Sequence, residues 1–196
     1  MVNCQERTVL NMAGASAEIL RLAKEIGALS FGEFTLSSGE KSTYYFDGRL
    51  LSLSTSGAVL LGQSIWAKMQ EIGASVVAGP TIGADPLIGA ALAIAGLQGG
   101  IASGLLVRPE EKHHGTGKQI EGVIKQGETA LVVDDVCTKG GSLLRAIKAL
   151  EEAQLPIAGV LVVLDRAEGG SDAILQHGYQ FDTILKATIK GDVVIA

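Results

Sequence analysis

Residues 129–147 read TALVVDDVCTKGGSLLRAI, and their reading decides the fold. Residues 129–133 form a short β-branched apolar run of the kind that makes a buried strand. Two adjacent carboxylates follow, Asp134 and Asp135, and then Val136 and Cys137. Thr138, Lys139, Gly140, Gly141 and Ser142 make a glycine-rich turn into a helix expected over 141–153. A strand–loop–helix unit of this kind suits phosphate, because free backbone N–H groups and the helix dipole attract an anion and glycines let it come close. Thr138 and Ser142 add hydroxyl donors. The plain alternative is a tight turn with Ser142 as an N-cap. The loop has neither the G-x-x-x-x-G-K-[ST] pattern nor G-x-G-x-x-G, so two common nucleotide fingerprints are absent.

The carboxylates are the sharper feature. Neighbouring residues on a strand point to opposite sides, so the two need not share one proton. A lone Asp at a strand end is commonly a turn former. Two before a phosphate-type loop suit a ligand with both an anion and vicinal hydroxyls, such as a sugar phosphate. Carboxylates also stabilise positive charge developing on a sugar carbon.

Outward from this unit, strands and helices alternate. Ser16 is expected to cap a helix over 17–26 that ends at Gly27, with Ile19, Leu22 and Ile26 on one face. FTLSSGEKSTYYFDGR (34–49) reads as a hairpin around a Ser-Ser-Gly turn. A helix follows over 56–73, then strand 75–79, helix 86–96, strand 101–107, the opening unit, strand 157–165, a helix near 171–178 and strand 182–189. The strands are continuous apolar runs, which predicts an α/β fold: a mostly parallel twisted sheet with helices on both faces. Ligands in such sheets sit beyond the carboxyl ends of the strands. No linker divides the chain, so residues 1–196 are expected to form one domain, with a small N-terminal helix and hairpin hood over about residues 1–50.

Composition narrows the function. The formal net charge is −5, poor support for a nucleic-acid surface, though it leaves room for a small anionic ligand met by local positive charge. No apolar run reaches membrane-spanning length and the N-terminus lacks a signal pattern, so no membrane partner and a cytoplasmic location are expected. Two cysteines, Cys4 and Cys137, suit reduced thiols in a cytosolic protein. His113 and His114 have no further ligand at zinc spacing.

LVVDDVCTKGGS resembles the 5-phosphoribosyl 1-diphosphate (PRPP) motif of the type I phosphoribosyltransferases at every constrained position. FTLSSGEKSTYYFDGR (34–49), VRPEEKHHGTGKQIEG (107–122) and LDRAEGG (164–170) are similar to orotate phosphoribosyltransferases, and the likeness runs from about residue 16 onward. The resemblance implies a pentosyltransferase of pyrimidine biosynthesis: PRPP and orotate give orotidine 5′-monophosphate and diphosphate, with Mg²⁺ carried through PRPP rather than by assigned protein ligands. It implies that Asp134 and Asp135 hold the ribose hydroxyls. The PRPP site would comprise Arg108, Lys112, His114, Asp134, Asp135, Val136, Cys137, Thr138, Lys139, Gly140, Gly141 and Ser142. Lys112, His114 and Asp135 would be catalytic, and Thr138 and Arg166 would meet orotate. It also implies a homodimer in which loop 108–118 serves the neighbouring subunit. Pro109 stands where many members carry a second basic residue, and Ser37 where some carry a lysine; Lys41 remains nearby. Two readings compete on the same fold: a PRPP-binding regulator and a purine phosphoribosyltransferase. For Arg166, the competing reading is an ion pair with Asp165 or Glu168.

Overall fold

The computed structural model describes residues 12–35, 41–109 and 119–196. A two-stranded antiparallel hairpin, β1 (Leu29–Thr35) and β2 (Lys41–Phe46), follows helix α1 (Met12–Glu25). Short α2 (Gly48–Ser52) and long α3 (Thr55–Ile72) lead into a seven-stranded sheet. Its strands are β3 (Val76–Pro80), β4 (Ser103–Val107), β5 (Ile120–Glu121), β6 (Ala130–Cys137), β7 (Ile157–Asp165), β8 (Phe181–Ala187) and β9 (Val193–Ile195). The order across the sheet is β5-β4-β3-β6-β7-β8-β9. The inner five strands run parallel, and the two edge strands antiparallel. Helices α4 (Asp85–Leu97), α5 (Gly141–Glu152) and α6 (Gly170–Gln176) lie in the connections.

The pleat of β6 explains why both sheet faces are covered. Leu131 and Val133 pack into a core with residues of α1, α3 and α4, whereas Ala130 and Val132 pack into a second core with residues of α5 and α6. A strand buried on both sides must be apolar at consecutive positions, as residues 130–133 are.

Strand order fixes the site. From β3 the chain steps outward to β4, and then returns to lay β6 on the other side of β3. The connections therefore diverge above the β3–β6 pair, and a crevice opens beyond their carboxyl ends.

Several expected boundaries move. Helix α1 begins four residues before Ser16, so Ser16 lies within it and is not its N-cap. Ile26 is beyond the helix and partly exposed, leaving Ile19 and Leu22 as the buried face. The hairpin starts earlier, at Leu29, and its Ser-Ser-Gly turn lies outside the described residues. Strand β6 runs through the acidic pair to Cys137, because Asp134, Val136 and Cys137 pair with Val162, Leu164 and Asp165 of β7. Helix α2 and strands β5 and β9 are too short to leave a periodic signal.

Candidate active site

The two carboxylates sit in the crevice with different surroundings. Asp134 is only 6% exposed. Its Oδ1 accepts the Asp135 backbone N–H at 2.9 Å, and its Oδ2 accepts the Ser142 hydroxyl at 3.2 Å. Burial, reinforced by the neighbouring Asp135 charge, pushes its pKa up to about 7. Burial raises Asp135 too, opposed by its hydrogen bonding with Asp134 and by the Arg49 charge.

Two glycines close on Asp135. A Cβ on Gly83, in the β3–α4 loop, would lie 2.5 Å from Asp135 Oδ1 and 2.8 Å from Asp134 Oδ1. A Cβ on Gly48, at the start of α2, would lie 2.7 Å from Asp135 Cβ. The backbone thus approaches the pair more closely than any side chain permits. The peptide bond between Thr81 and Ile82 in that loop is cis.

The turn after β6 is tied to the turn after β7. Arg166 N donates to Cys137 O at 2.9 Å, and Gly170 N to Thr138 O at 3.0 Å. Gly140 occupies the N-cap of α5 with φ +76°, a left-handed conformation, and the helix opens without a side-chain cap. Ser142 is therefore inside the helix and turned to Asp134, not an N-cap. The first N–H groups of a 12-residue helix are left for a ligand, with the Gly141 backbone exposed beside them. Lys139 is exposed, and Thr138 and Val136 are partly so. Cys137 is fully buried and its thiol is pushed up to about 12, chiefly by burial, so it packs and does not react.

Arg166 lies at the carboxyl end of β7. Its Nε donates to Glu168 Oε1 at 2.8 Å, and its guanidinium carbon lies 4.8 Å from the centroid of the Tyr44 ring. It also lines a cavity of about 540 Å³ between β2 and the β8–β9 turn, shared with Lys41, Lys139, Lys190 and Glu168. The ion pair with Glu168 and the place on a cavity wall are both present. Four cations against one anion make this cavity suited to an anionic ligand. Lys190 carries no sequence signal, since it sits in a polar turn.

Arg108, just past β4, occupies a different wall. Its Nε meets Glu121 Oε1 at 3.0 Å, with both side chains about 40% exposed. Its charge also opposes the burial that raises Asp85, whose buried Oδ1 has no partner among the described residues. Lys112 and His114 lie outside the described residues.

Residues 71–184 match the phosphoribosyl transferase domain. The orotate phosphoribosyltransferase of Pyrococcus furiosus is 42% identical over 165 residues, covering 83% of this chain and 88% of the relative. The chain belongs to the orotate phosphoribosyltransferase family. The orotate phosphoribosyltransferase of Mycobacterium tuberculosis H37Rv, solved with Fe(III) dicitrate, superposes with a TM-score of 0.75 at 34% identity, over 88% of this chain and 96% of that one. The same enzyme in complex with PRPP gives 0.72 at 32% identity, over the same shares. Within this orotate phosphoribosyltransferase fold, β6 and its loop lie at the centre of the crevice, and Arg166 and Arg108 lie on separate walls.

Proposed function

We propose that this chain transfers the phosphoribosyl group of PRPP to a ring nitrogen of orotate, yielding orotidine 5′-monophosphate and diphosphate. The observation that carries this reading is the juxtaposition of a carboxylate pair, Asp134 buried and Asp135 partly exposed, with an uncapped, glycine-opened helix start, on one strand and its turn. The 138–142 loop holds the 5-phosphate, and Asp134 and Asp135 accept hydrogen bonds from the ribose hydroxyls. As the C1–O bond breaks, its electron pair leaves with diphosphate and positive charge grows on the ribose beside Asp135. Arg108, with Lys112 and His114, offsets the negative charge of the leaving group. The Arg108–Glu121 pair is half-exposed, and such pairs contribute about 0–1 kcal/mol, so exchange for diphosphate costs little. The ring nitrogen of orotate supplies the electron pair of the new bond and gives up its N–H proton to the departing diphosphate or to water, and Arg166 orients the acceptor through its carboxylate.

Among the described residues, no group of three or more His, Cys, Asp or Glu side chains could hold a metal. The hard oxygen donors of the crevice are the two carboxylates, a set that fits Mg²⁺ held mainly by substrate oxygens and water. When bound, Mg²⁺ supplies charge neutralisation at the diphosphate and ribose oxygens. No helix among the described residues is long and apolar enough to cross a membrane.

The test is ultraviolet measurement of acceptor consumption with PRPP and Mg²⁺, with orotate beside adenine, hypoxanthine, xanthine and uracil. Orotate alone should be consumed rapidly. A preferred purine acceptor, or PRPP binding without turnover of any acceptor, would replace this reading.

A homodimer with loop 108–118 acting in the neighbouring subunit belongs to the same proposal. Lys112→Ala and Asp135→Asn, each strongly impaired alone, should complement when unfolded and refolded together. Random pairing makes about half the dimers mixed and about a quarter of all sites intact. A mixture verified to contain mixed dimers but without activity would reject the shared site.

A further inference from the structure

Arg166 is held on two sides by side chains from separate segments, and the pattern of what is satisfied and what is not points to one use. Its Nε is engaged by Glu168 at 2.8 Å. Its guanidinium carbon lies over the Tyr44 ring, 4.8 Å from the centroid. Its two terminal nitrogens have no partner among the described residues, although its side chain is only 9% exposed. Neither terminal nitrogen is among the fully buried atoms without a partner, so both keep access to the cavity that Arg166 lines, and an anion entering it can take them. Those donors are the pair that a carboxylate takes in parallel.

Tyr44 is equally specific. It is 5% exposed, and the inward alternation of β2 brings it and Phe46 into the core. Its hydroxyl is buried without a hydrogen-bond partner among the described residues, and burial raises its pKa, so it stays a neutral phenol. A buried tyrosine normally earns its place by a bonded hydroxyl. Here the useful part is the ring face, which offers negative quadrupole density to the cation.

We infer that Tyr44 and Glu168 are positioning residues for acceptor recognition: the tyrosine ring supports the guanidinium from below, the glutamate fixes its Nε, and the two terminal nitrogens are left aimed at the acceptor's carboxylate. This rests on the assignment of Arg166 to orotate made above. It explains why a residue with an ion-pair partner in its own turn still serves a ligand. Glu168 occupies the one nitrogen that a bidentate carboxylate on the outer edge does not need. It also gives the hairpin a task in acceptor choice, since Tyr44 reaches Arg166 across more than a hundred residues of sequence.

The experiment is a set of initial-rate measurements, with orotate and PRPP varied separately, on Tyr44→Leu, Glu168→Ala and Arg166→Ala, and on Tyr44→Leu combined with Arg166→Ala. Tyr44→Leu should raise the KM for orotate roughly three- to thirtyfold, the span of a partly buried cation–π contact. The KM for PRPP should stay within about twofold, and in the Arg166→Ala background the tyrosine substitution should change kcat/KM for orotate by less than about twofold. Tyr44→Phe, which keeps the ring, should restore most of what Tyr44→Leu loses. Glu168→Ala should act in the same direction and provides the same test should Tyr44→Leu fail to fold. An undiminished Tyr44→Leu effect without Arg166 would mark a merely structural residue and overturn the inference. So would equal losses in the Phe and Leu variants, or unchanged orotate kinetics in both Tyr44→Leu and Glu168→Ala. An Arg166→Ala enzyme with an unchanged KM for orotate would instead overturn the assignment beneath it.

Discussion

The carboxylate crevice and the cation cavity are built by opposite means. Asp134 and Asp135 lie on one strand and are bonded within it and its own turn, by a backbone N–H and a helix-start hydroxyl, while glycines of two other segments let backbone close on the pair. The cavity around Arg166 is assembled from four stretches, the hairpin strand β2, Lys139 of the turn after β6, the turn after β7 and the β8–β9 turn. Its key contacts are between side chains. Backbone-held groups cannot adjust without moving the sheet, whereas side-chain-held groups can be exchanged one at a time. The first arrangement suits the chemistry common to every phosphoribosyl transfer, and the second suits a choice of acceptor.

This division is broken most easily at Asp135. Asp135→Asn should lower turnover about a hundredfold, on the order of 3 kcal/mol of transition-state stabilisation, with melting temperature nearly unchanged. Near-normal kcat by initial rates would remove the carboxylate's role. Arg166→Ala should instead raise the KM for orotate by roughly ten- to a hundredfold, as expected for the loss of a charge-assisted contact of about 1.5–3 kcal/mol, with the KM for PRPP little changed. Gly83→Ala forces a methyl group against Asp135 Oδ1, at 2.5 Å in the present geometry. Overpacking of this kind costs about 1–3 kcal/mol, and here it should appear mainly as lost kcat. A fully active Gly83→Ala enzyme would show that the carboxylate is not fixed by this loop.

Asp134 should separate stability from activity. Its pKa in the folded chain, about 7, lies above the ordinary carboxylate value of 3.8. The folded state therefore binds more protons than the unfolded state between those values, and stability should fall as pH rises from about 4 to about 7. Asp134→Asn removes that titration and keeps an oxygen for the Asp135 N–H. It should flatten the stability profile and melt higher than the parent at pH 8, by an amount on the order of 1–3 kcal/mol, while turnover drops. A parent whose melting temperature is constant across that pH range would contradict the burial of the Asp134 carboxyl group. The smallest expected effect is at Cys137. Its buried thiol should resist alkylation in the folded enzyme, measured by mass spectrometry, until denaturant is added.

What the sequence displays follows from the same contrast. The acidic pair, the turn and the helix start are contiguous, so a single stretch of 19 residues contains them. The apolar strands are legible because a two-faced core demands unbroken apolar runs. Their parallel order is legible because helices separate them. Arg166 is visible through its place after a core strand. Tyr44, Lys190, Gly48 and Gly83 are not, because their contacts to the site depend on tertiary closure rather than on neighbours in sequence. Gly83 and Gly48 resemble ordinary turn glycines until the fold brings Asp135 against them. Ser16 is misread for a related reason: a serine near a helix start suggests a cap, yet α1 extends further upstream. The plain alternative of an N-cap fails at Ser142 too, because its hydroxyl turns to Asp134.

The most direct measurement of this division of labour is the ratio of kcat/KM for orotate to that for uracil, which differs from orotate by the carboxylate. It should be taken on the parent, Asp135→Asn and Arg166→Ala under one set of PRPP and Mg²⁺ concentrations. The expected result is a large ratio in the parent, the same ratio in Asp135→Asn despite its slow turnover, and a fall of about tenfold or more in Arg166→Ala. A parent that uses uracil as well as orotate, or an Asp135→Asn enzyme whose ratio falls as far as that of Arg166→Ala, would contradict it.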